Sequence, residues 1–337
     1  MPATPSHLQC IYIIRLTLHG LCGYHKSFTM APSAIVEISE ANQIGQDLEH
    51  MSDAIDDVNC MKYDAASKFD SAKDKTQFRQ YEDACDRVKN FYREQHEKQT
   101  VAYNLAARNR FYNASRKRPE MTIWQAMEKL NTLVDESDPD TSLSQIEHLL
   151  QSAEAIRRDG KPRWMQITGL IHDLGKLMLF FPELETQGQW DVVGDTFPVG
   201  CAFDKRIILP ETFAKNPDVK DPVYSTKLGI YTPGCGLDNV MLSWGHDEYL
   251  YHVVKDQSTL PDEALAMIRY HSFYPWHREG AYRELMCSKD YDMLKAVQAF
   301  NPYDLYSKSD GVPSAEELKP YYMELIDEFF PQKVIKW

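Results

Sequence analysis

The stretch TGLIHDLGKLM, residues 168–178, places a histidine and an aspartate side by side inside an apolar run with helical character. An unpaired Asp173 carboxylate would be costly to bury among such neighbours, whereas a carboxylate beside the His172 imidazole can complete or bridge a metal site. Lys176 lies four residues after His172 and three after Asp173, so a helix brings all three to one face. The stretch therefore predicts a buried helix that carries metal ligands.

Three further histidines lie in similar apolar, helical surroundings. A single one of them is more simply interpreted as a core or capping histidine, but four together favour a metal site. The four are His148 in QIEHLLQSAE, His172, His246 in LSWGHDEYL and His271 in MIRYHSFYPWH. Among the others, we interpret His252 and His277 as structural and His96, in the charged string REQHEK, as solvated.

A second His–Asp dipeptide follows in His246-Asp247. Its surroundings differ from those of Asp173, because Glu248 comes next and no apolar run encloses the two acids. We interpret Asp247 as compatible with a solvated charge, and only Asp173 as a buried carboxylate.

The order of these residues matches the H…HD…D pattern of the HD-domain superfamily. With the two later histidines there are six candidate ligands, enough for two metal ions that share one carboxylate. They are His148, His172, Asp173, His246, His271 and Asp304. All are nitrogen or oxygen donors and none is a thiolate, which favours iron, manganese or zinc over copper(I) or an iron–sulfur cluster.

The helical period dominates the chain from about residue 76 onward. Amphipathic helices are predicted over residues 78–112, 122–134, 143–156, 165–181, 237–254, 262–271, 290–300 and 315–329. Residues 188–231 instead mix β-branched residues with Gly and Pro, which indicates long ordered loops and allows a short β-hairpin. We predict one all-α domain over residues 76–337, an HD-domain helical bundle with a loop-rich insertion.

The beginning of the chain differs from the rest in composition. Residues 1–75 are predicted to be a poorly ordered leader, because residues 33–75 are acidic, polar and poor in aromatic side chains. Residues 1–29 carry two basic and no acidic residues, and Arg15 interrupts the apolar run that a signal peptide would need. Since Met30 opens an ordinary-looking start, we hypothesise that residues 1–29 are a non-native upstream extension.

The overall charge excludes several classes of partner. The 337 residues include 37 Lys+Arg and 50 Asp+Glu, a net charge of −13, which disfavours nucleic acids and anionic membranes as partners. The seven cysteines are scattered and never spaced CxxC, which argues against a disulfide framework and a thiolate zinc site. A reducing, cytoplasmic location fits this usage.

Six strings of the sequence closely resemble the myo-inositol oxygenase family. They occur in the family's order, from about residue 78 to the C-terminus, and the longer ones are very specific. The strings are DESDPD (135–140), LIHDLGK (170–176), VVGDTFPVGC (192–201), SWGHDEYLY (243–251), HSFYPWH (271–277) and DLYSK (304–308).

The resemblance implies an activity, a cofactor and a set of site residues. The activity is four-electron cleavage of the myo-inositol ring between C1 and C6 with O2 as co-substrate, giving D-glucuronate and water at a mixed-valent Fe(II)/Fe(III) site. It also implies the six ligands above, with Asp173 bridging, catalytic roles for Asp173 and Lys176, and a monomeric protein. The implied substrate contacts are Arg79, Asp135, Glu136, Ser137, Lys176, Gly194, Asp195, His271, Ser272 and Lys308.

Simpler roles compete with some of these assignments. Asp135 can end or cap a helix, Asp195 can form an Asx-turn, and Lys176 and Lys308 can be solvated helix lysines. Arg79, in FRQY, is expected to belong to a lid. The alternative function is that of an HD-domain metal-dependent phosphohydrolase, which needs cationic residues for phosphate and is disfavoured by the acidic composition.

Overall fold

Helices, α and 3₁₀ together, make up most of the residues that the computed structural model describes, which are 85–113, 115, 117–138, 144–306 and 314–337. The predicted all-α fold is confirmed, and the described residues lie within one compact unit. The helices are α1 (Asp86–Lys98), α2 (Val101–Tyr112), α3 (Ile123–Leu130), α4 (Gln145–Arg158), α5 (Arg163–Ile171), α6 (His246–Val254), α7 (Asp262–Tyr270), α8 (Tyr274–His277), α9 (Ser288–Tyr306) and α10 (Ala315–Phe329). The strands are β1 (Glu120–Met121) and β2 (Ile335–Lys336).

Local sequence fixes the start of several helices. Thr122 is the N-cap of α3: its side chain accepts from the backbone N–H of Gln125, and the Gln125 side chain accepts from the N–H of Thr122 in return. Ser144 and Ser314 form the same capping box at α4 and α10. Each box satisfies N–H groups that a helix start otherwise leaves unpaired.

Besides the helix predicted over residues 165–181, which ends at Ile171 before a 3₁₀ segment (Leu174–Phe180), two predicted helices are shorter than the hydrophobic period indicated. The described part of the first one is broken at Gln99 and Thr100, and Thr100 caps a separate helix, α2. In residues 237–254 the helix begins only at His246, since Leu237–Asn239 forms a 3₁₀ turn after Gly236, whose φ is +84°. Capping and glycine geometry overrode the apolar period in both cases.

The loop-rich segment, residues 188–231, contains 3₁₀ turns and no strand, so the short hairpin that the sequence allowed is not formed there. The backbone of Gly194, Gly200 and Gly229 adopts positive φ, which interrupts any extended run. The antiparallel β1–β2 pair lies elsewhere and joins residues more than 200 positions apart, Glu120 opposite Lys336 and Met121 opposite Ile335.

The core brings the helices that carry candidate ligands together. Helix α4 packs against α5, and both α6 and α9 pack against α7. Fully buried side chains such as Leu149, Leu170, Val253 and Ile268 fill the space between them. No helix of the described residues is both long and apolar enough to cross a bilayer.

Several predictions concern residues outside the described ranges. These are the leader over residues 1–75, the hypothesised start at Met30, and the site residues Arg79 and Lys308. They stay predictions.

Candidate metal centre

Three predicted ligands from three helices meet on one side of a buried site. His148 lies on α4, His172 directly follows α5, and Asp304 lies near the end of α9. Asp304 Oδ1 is 3.2 Å from Nε2 of both histidines, and all three side chains are buried. We call these three residues the first half-site.

A similar arrangement lies on the other side. His246 opens α6 and His271 directly follows α7, and their Nε2 atoms are 3.3 Å apart. Asp247 Oδ1 is 2.8 Å from Nε2 of His246 and 3.3 Å from Nε2 of His271. We call His246, His271 and Asp247 the second half-site.

Asp173 lies between the two half-sites and faces both. Its Oδ1 is 3.5 Å from Nε2 of His246 and of His271. Its Oδ2 is 3.7 Å from Nε2 of His148 and of His172. A carboxylate with one oxygen directed at each pair of imidazoles has the geometry that a bridging ligand requires.

The backbone around Asp173 is fitted closely to the second half-site. Gly175 has no room for a side chain, because a Cβ there would overlap the carbonyl oxygen of His246. The glycine of the string HDLGK therefore lets the 3₁₀ segment after Asp173 contact the start of α6. This contact brings the two His–Asp dipeptides together.

Hydrogen bonds at the second ring nitrogen orient three of the imidazoles. In each, Nδ1 lies 2.9 Å from a backbone carbonyl oxygen, which can only accept, so Nδ1 carries a proton and Nε2 faces the site, where it can offer its lone pair to a metal ion. The pairs are His172 with Gly169, His246 with Val192 and His271 with Ile268. Imidazole Nε2 atoms and carboxylate oxygens face one another across both half-sites. This donor set fits metal cations that accept nitrogen and oxygen ligands.

The charges of the site also favour a bound cation. Burial lowers the pKa of His271, but Asp247, Asp173 and Asp304 raise it to about 9. A proton on His271 can thus supply the positive charge that the carboxylates attract, and a metal ion would displace that proton.

Lys176 is buried between two carboxylates. Its Nζ is 2.8 Å from Oδ2 of Asp173 and 2.8 Å from Oδ2 of Asp135. Burial would lower its pKa, yet the two carboxylates raise it well above its ordinary value, and Lys176 in turn lowers the pKa of both carboxyl groups against the effect of their burial. All three groups are therefore ionised at neutral pH, and Lys176 is not a solvated helix lysine.

Hydrogen bonds to side-chain and backbone atoms fix the loop that carries Asp135. Asp135 Oδ1 accepts from the N–H and the hydroxyl of Ser137, at 2.8 and 2.6 Å. The Arg87 guanidinium donates to the carbonyl oxygens of Asp135, Glu136 and Asp138. Glu136 is exposed, and its N–H donates to the side chain of Gln189. No pattern in the sequence pointed to the part that Arg87 plays.

Gly194 and Asp195 lie in the loop beside the second half-site. Gly194 has a φ of +89°, and a Cβ there would collide with the ring of Phe91, so this position needs glycine. Asp195 is buried, with Oδ1 3.3 Å from the hydroxyl of Tyr92. The backbone N–H of the next residue, Thr196, donates to the carbonyl oxygen of Ser272 at 2.9 Å.

Ser272 itself contacts the second half-site. Its Oγ is 3.2 Å from Nε2 of His246, and its N–H donates to Asp247 Oδ2 at 3.1 Å. The structure therefore brings Asp135, Ser137, Lys176 and Ser272 to the candidate metal centre or to residues that touch it.

Two solvated interpretations from the sequence, those of Asp247 and His96, are wrong. Asp247 is fully buried in the second half-site. Glu248 is also fully buried, where it binds Arg108 and Arg269. His96 is buried too, stacked on the ring of Phe213 at 3.9 Å, and burial lowers its pKa to about 3. The charged neighbours of these residues in the sequence suggested an exposed surface, whereas the fold buries them against partners from distant parts of the chain.

Two histidines interpreted as structural are placed accordingly. His252 Nε2 lies 3.1 Å from Glu248 Oε1, and His277 Nε2 donates to the carbonyl oxygen of His271 at 2.9 Å. His277 thus supports the segment that carries a predicted ligand.

Comparison with known proteins identifies the family. Residues 85–337 match the family model described as myo-inositol oxygenase. The chain is 51% identical over 267 residues to inositol oxygenase 1 of Arabidopsis thaliana, covering 77% of this chain and 84% of the relative. It is 46% identical over 280 residues to the inositol oxygenase of Dictyostelium discoideum, covering 81% and 95%, and 46% identical over 271 residues to that of Rattus norvegicus, covering 79% and 93%. The chain belongs to the myo-inositol oxygenase family.

Proposed function

We propose that this inositol oxygenase holds two iron ions, as an Fe(II)/Fe(III) pair, and uses O2 to cleave myo-inositol between C1 and C6 into D-glucuronate and water. The observation that carries the proposal is the position of Asp173, whose two oxygens face two separate pairs of imidazoles at 3.5 and 3.7 Å. One bridging carboxylate with two histidines on each side suits two metal ions rather than one.

The six residues proposed as iron ligands are those predicted from the sequence: His148, His172, Asp173, His246, His271 and Asp304. The contact of each half-site with Asp173 supports this set. When bound, the iron pair supplies the redox chemistry that activates O2 and removes four electrons from the substrate.

The residues around the metal centre suit a neutral polyol. A cyclohexane hexol presents only hydroxyl groups, so its recognition needs carboxylate acceptors together with cationic or hydroxyl donors. Asp135, Ser137, Lys176 and Ser272 supply both kinds near Asp173 and the second half-site. Arg79, Glu136, Gly194, Asp195, His271 and Lys308 complete the proposed substrate contacts.

Lys176 is proposed as the residue that holds the substrate oxygen where negative charge develops. Its Nζ has three N–H groups, and contacts with Asp135 and Asp173 use two of them. The third is left for a substrate hydroxyl. Because two carboxylates keep Lys176 protonated, it can stabilise an alkoxide without giving up its own proton.

Burial of the centre serves to exclude water from the reaction. His172, Asp173, His246 and His271 are all at most 4% exposed. A dry site strengthens the electrostatic contacts within it and limits side reactions of oxidising species. We propose that the segment around Arg79 closes over the substrate as a lid.

The alternative, a metal-dependent phosphohydrolase, is less well supported. A phosphate ester carries charge that needs free cations, whereas Lys176, the lysine at the described metal centre, is already bound by two carboxylates. We further propose a monomeric, cytoplasmic protein with neither nucleic acid nor membrane as partner, which the net charge of −13 and the scattered cysteines support.

The test combines a metal count with an assay. Protein purified without oxygen is expected to bind two irons per chain, to show the half-integer-spin resonance of an Fe(II)/Fe(III) pair, and to form glucuronate from myo-inositol only when O2 is admitted. A phosphorylated inositol serves as the matched control substrate. Tightly held zinc together with phosphate release from nucleotides would instead support the phosphohydrolase.

A further inference from the structure

Asp247 occupies a position in the second half-site that matches that of Asp304 in the first. Asp304 Oδ1 is 3.2 Å from both imidazole nitrogens of its half-site. Asp247 Oδ1 is 2.8 and 3.3 Å from the corresponding nitrogens of His246 and His271. Each half-site thus has two imidazoles, a carboxylate of its own and one oxygen of Asp173.

The two oxygens of Asp247 have different surroundings. Oδ2 accepts from the N–H of Ser272 at 3.1 Å and from the hydroxyl of Thr196 at 3.3 Å. Oδ1 instead faces the ring nitrogens of His246 and His271. One oxygen is therefore anchored, and the other is directed into the half-site.

A carboxylate that is fully buried in this way needs a positive charge nearby. The contacts of Lys176 are with Asp135 and Asp173, and those of Arg269 are with Glu248 and Asp238. The groups that face Asp247 Oδ1 are two imidazoles whose Nδ1 protons are directed at backbone carbonyls. A metal ion held by those imidazoles would compensate the charge in place of a proton on His271.

We propose that Asp247 is a positioning residue of the second half-site. Its charge strengthens metal binding by His246 and His271, and its anchored oxygen fixes the backbone of Ser272 against the site. This inference rests on the two-metal centre proposed above. It adds to the six proposed ligands a residue that acts on a single half-site.

The experiment measures metal binding by the metal-free protein rather than turnover. Mn(II) is titrated anaerobically into wild type and into Asp247→Asn, which keeps the shape of the side chain and removes its charge. Asp304→Ala identifies the binding step that belongs to the first half-site. We expect Asp247→Asn to lower the Mn(II) affinity of the second half-site by about 10- to 100-fold and to leave that of the first unchanged.

A matched control is available in Asp290. This carboxylate is also buried and accepts from two backbone N–H groups, those of Leu237 and Cys287, but its contacts lie outside both half-sites. Asp290→Asn is expected to bind two metals as wild type does. Equal weakening of both half-sites in Asp247→Asn, or no weakening of the second, would overturn the proposal.

Two further results keep the test decisive. If Asp247→Asn does not fold, Thr196→Val, which removes one anchor of Oδ2, is expected to weaken only the second half-site, by about fivefold. Unchanged binding by that variant would contradict the proposal. Fewer than two metals bound by wild type would instead refute the two-metal centre, so the two failures are distinguishable.

Discussion

The two His–Asp dipeptides of this molecule reach one site from opposite ends of helices. His172 and Asp173 follow the last residue of α5, whereas His246 and Asp247 open α6. Asp173 extends between the half-sites and touches both pairs of imidazoles. Asp247 stays within one half-site and is held there by Ser272.

The difference teaches that the dipeptide alone does not define a role. After α5 the chain turns into a 3₁₀ segment, which leaves the Asp173 carboxylate free to bridge and to bind Lys176. In the first turn of α6 the helix end itself favours a carboxylate, and Asp247 lies beside its own histidine. The same two residue types thus give a carboxylate that contacts both half-sites in Asp173 and one that contacts a single half-site in Asp247.

The largest effect is expected from Asp173→Ala. Because Asp173 contacts all four imidazoles, its loss should remove both metals and lower activity by more than about 100-fold. Metal analysis after gel filtration measures this directly. If Asp173→Ala still bound one equivalent of metal in either half-site, Asp173 would not serve both half-sites, and the proposed difference from Asp247 would be wrong.

Replacement of Lys176 by methionine is expected to separate metal binding from turnover. Lys176 contacts Asp173, the proposed bridging carboxylate, and is not one of the proposed ligands, so both metals should remain while kcat falls by about 100-fold or more. Steady-state kinetics and iron content are measured on the same preparation. Lys161→Met, which removes another buried lysine, is the control and should keep its kcat.

Loss of iron from Lys176→Met would carry a different meaning. It would show that Lys176 is needed to hold Asp173 in its bridging position. The lysine would then be structural, and its proposed contact with the substrate would be wrong.

The smallest effect on the metal centre is expected at Glu248, the neighbour of Asp247, because its charge contributes to stability alone. Burial would raise its pKa, but Arg269, His252 and Arg108 lower it well below its ordinary value of 4.5. Its stabilising contribution is therefore complete above the unfolded pKa of about 4.5 and is lost as the pH falls through the folded value. Glu248→Gln should lower the free energy of unfolding by about 3–5 kcal/mol at pH 7.

Urea unfolding at several pH values tests this prediction. The difference in the free energy of unfolding between wild type and Glu248→Gln should become smaller as the pH falls below about 4.5. Glu94→Gln, which breaks the exposed ion pair with Lys98, is the control and should change stability by less than about 1 kcal/mol. If the difference in the free energy of unfolding did not depend on pH, packing rather than the charge of Glu248 would be responsible.

Much of the fold was predictable because its signals are local. Capping residues such as Thr122 and Ser314 mark helix starts within three or four positions, and the structure confirms the helices that they begin. The break at Gln99 and Thr100 was missed, since the apolar period continues through it. The side chain of Gln99 donates to the carbonyl oxygen of Trp244, a contact that no window along the chain contains.

The sequence by itself determined which residue types could form the centre: four histidines and two aspartates in apolar surroundings, with Lys176 one turn from His172. Only the tertiary structure decided the place of Asp247, whose partners Thr196 and Ser272 lie 51 and 25 residues away. Ligand chemistry and helical period are properties of a short stretch. Burial of a charge depends on groups that the fold brings from distant parts of the chain. Here those groups bury Asp247, which the sequence predicted as solvated, within the site.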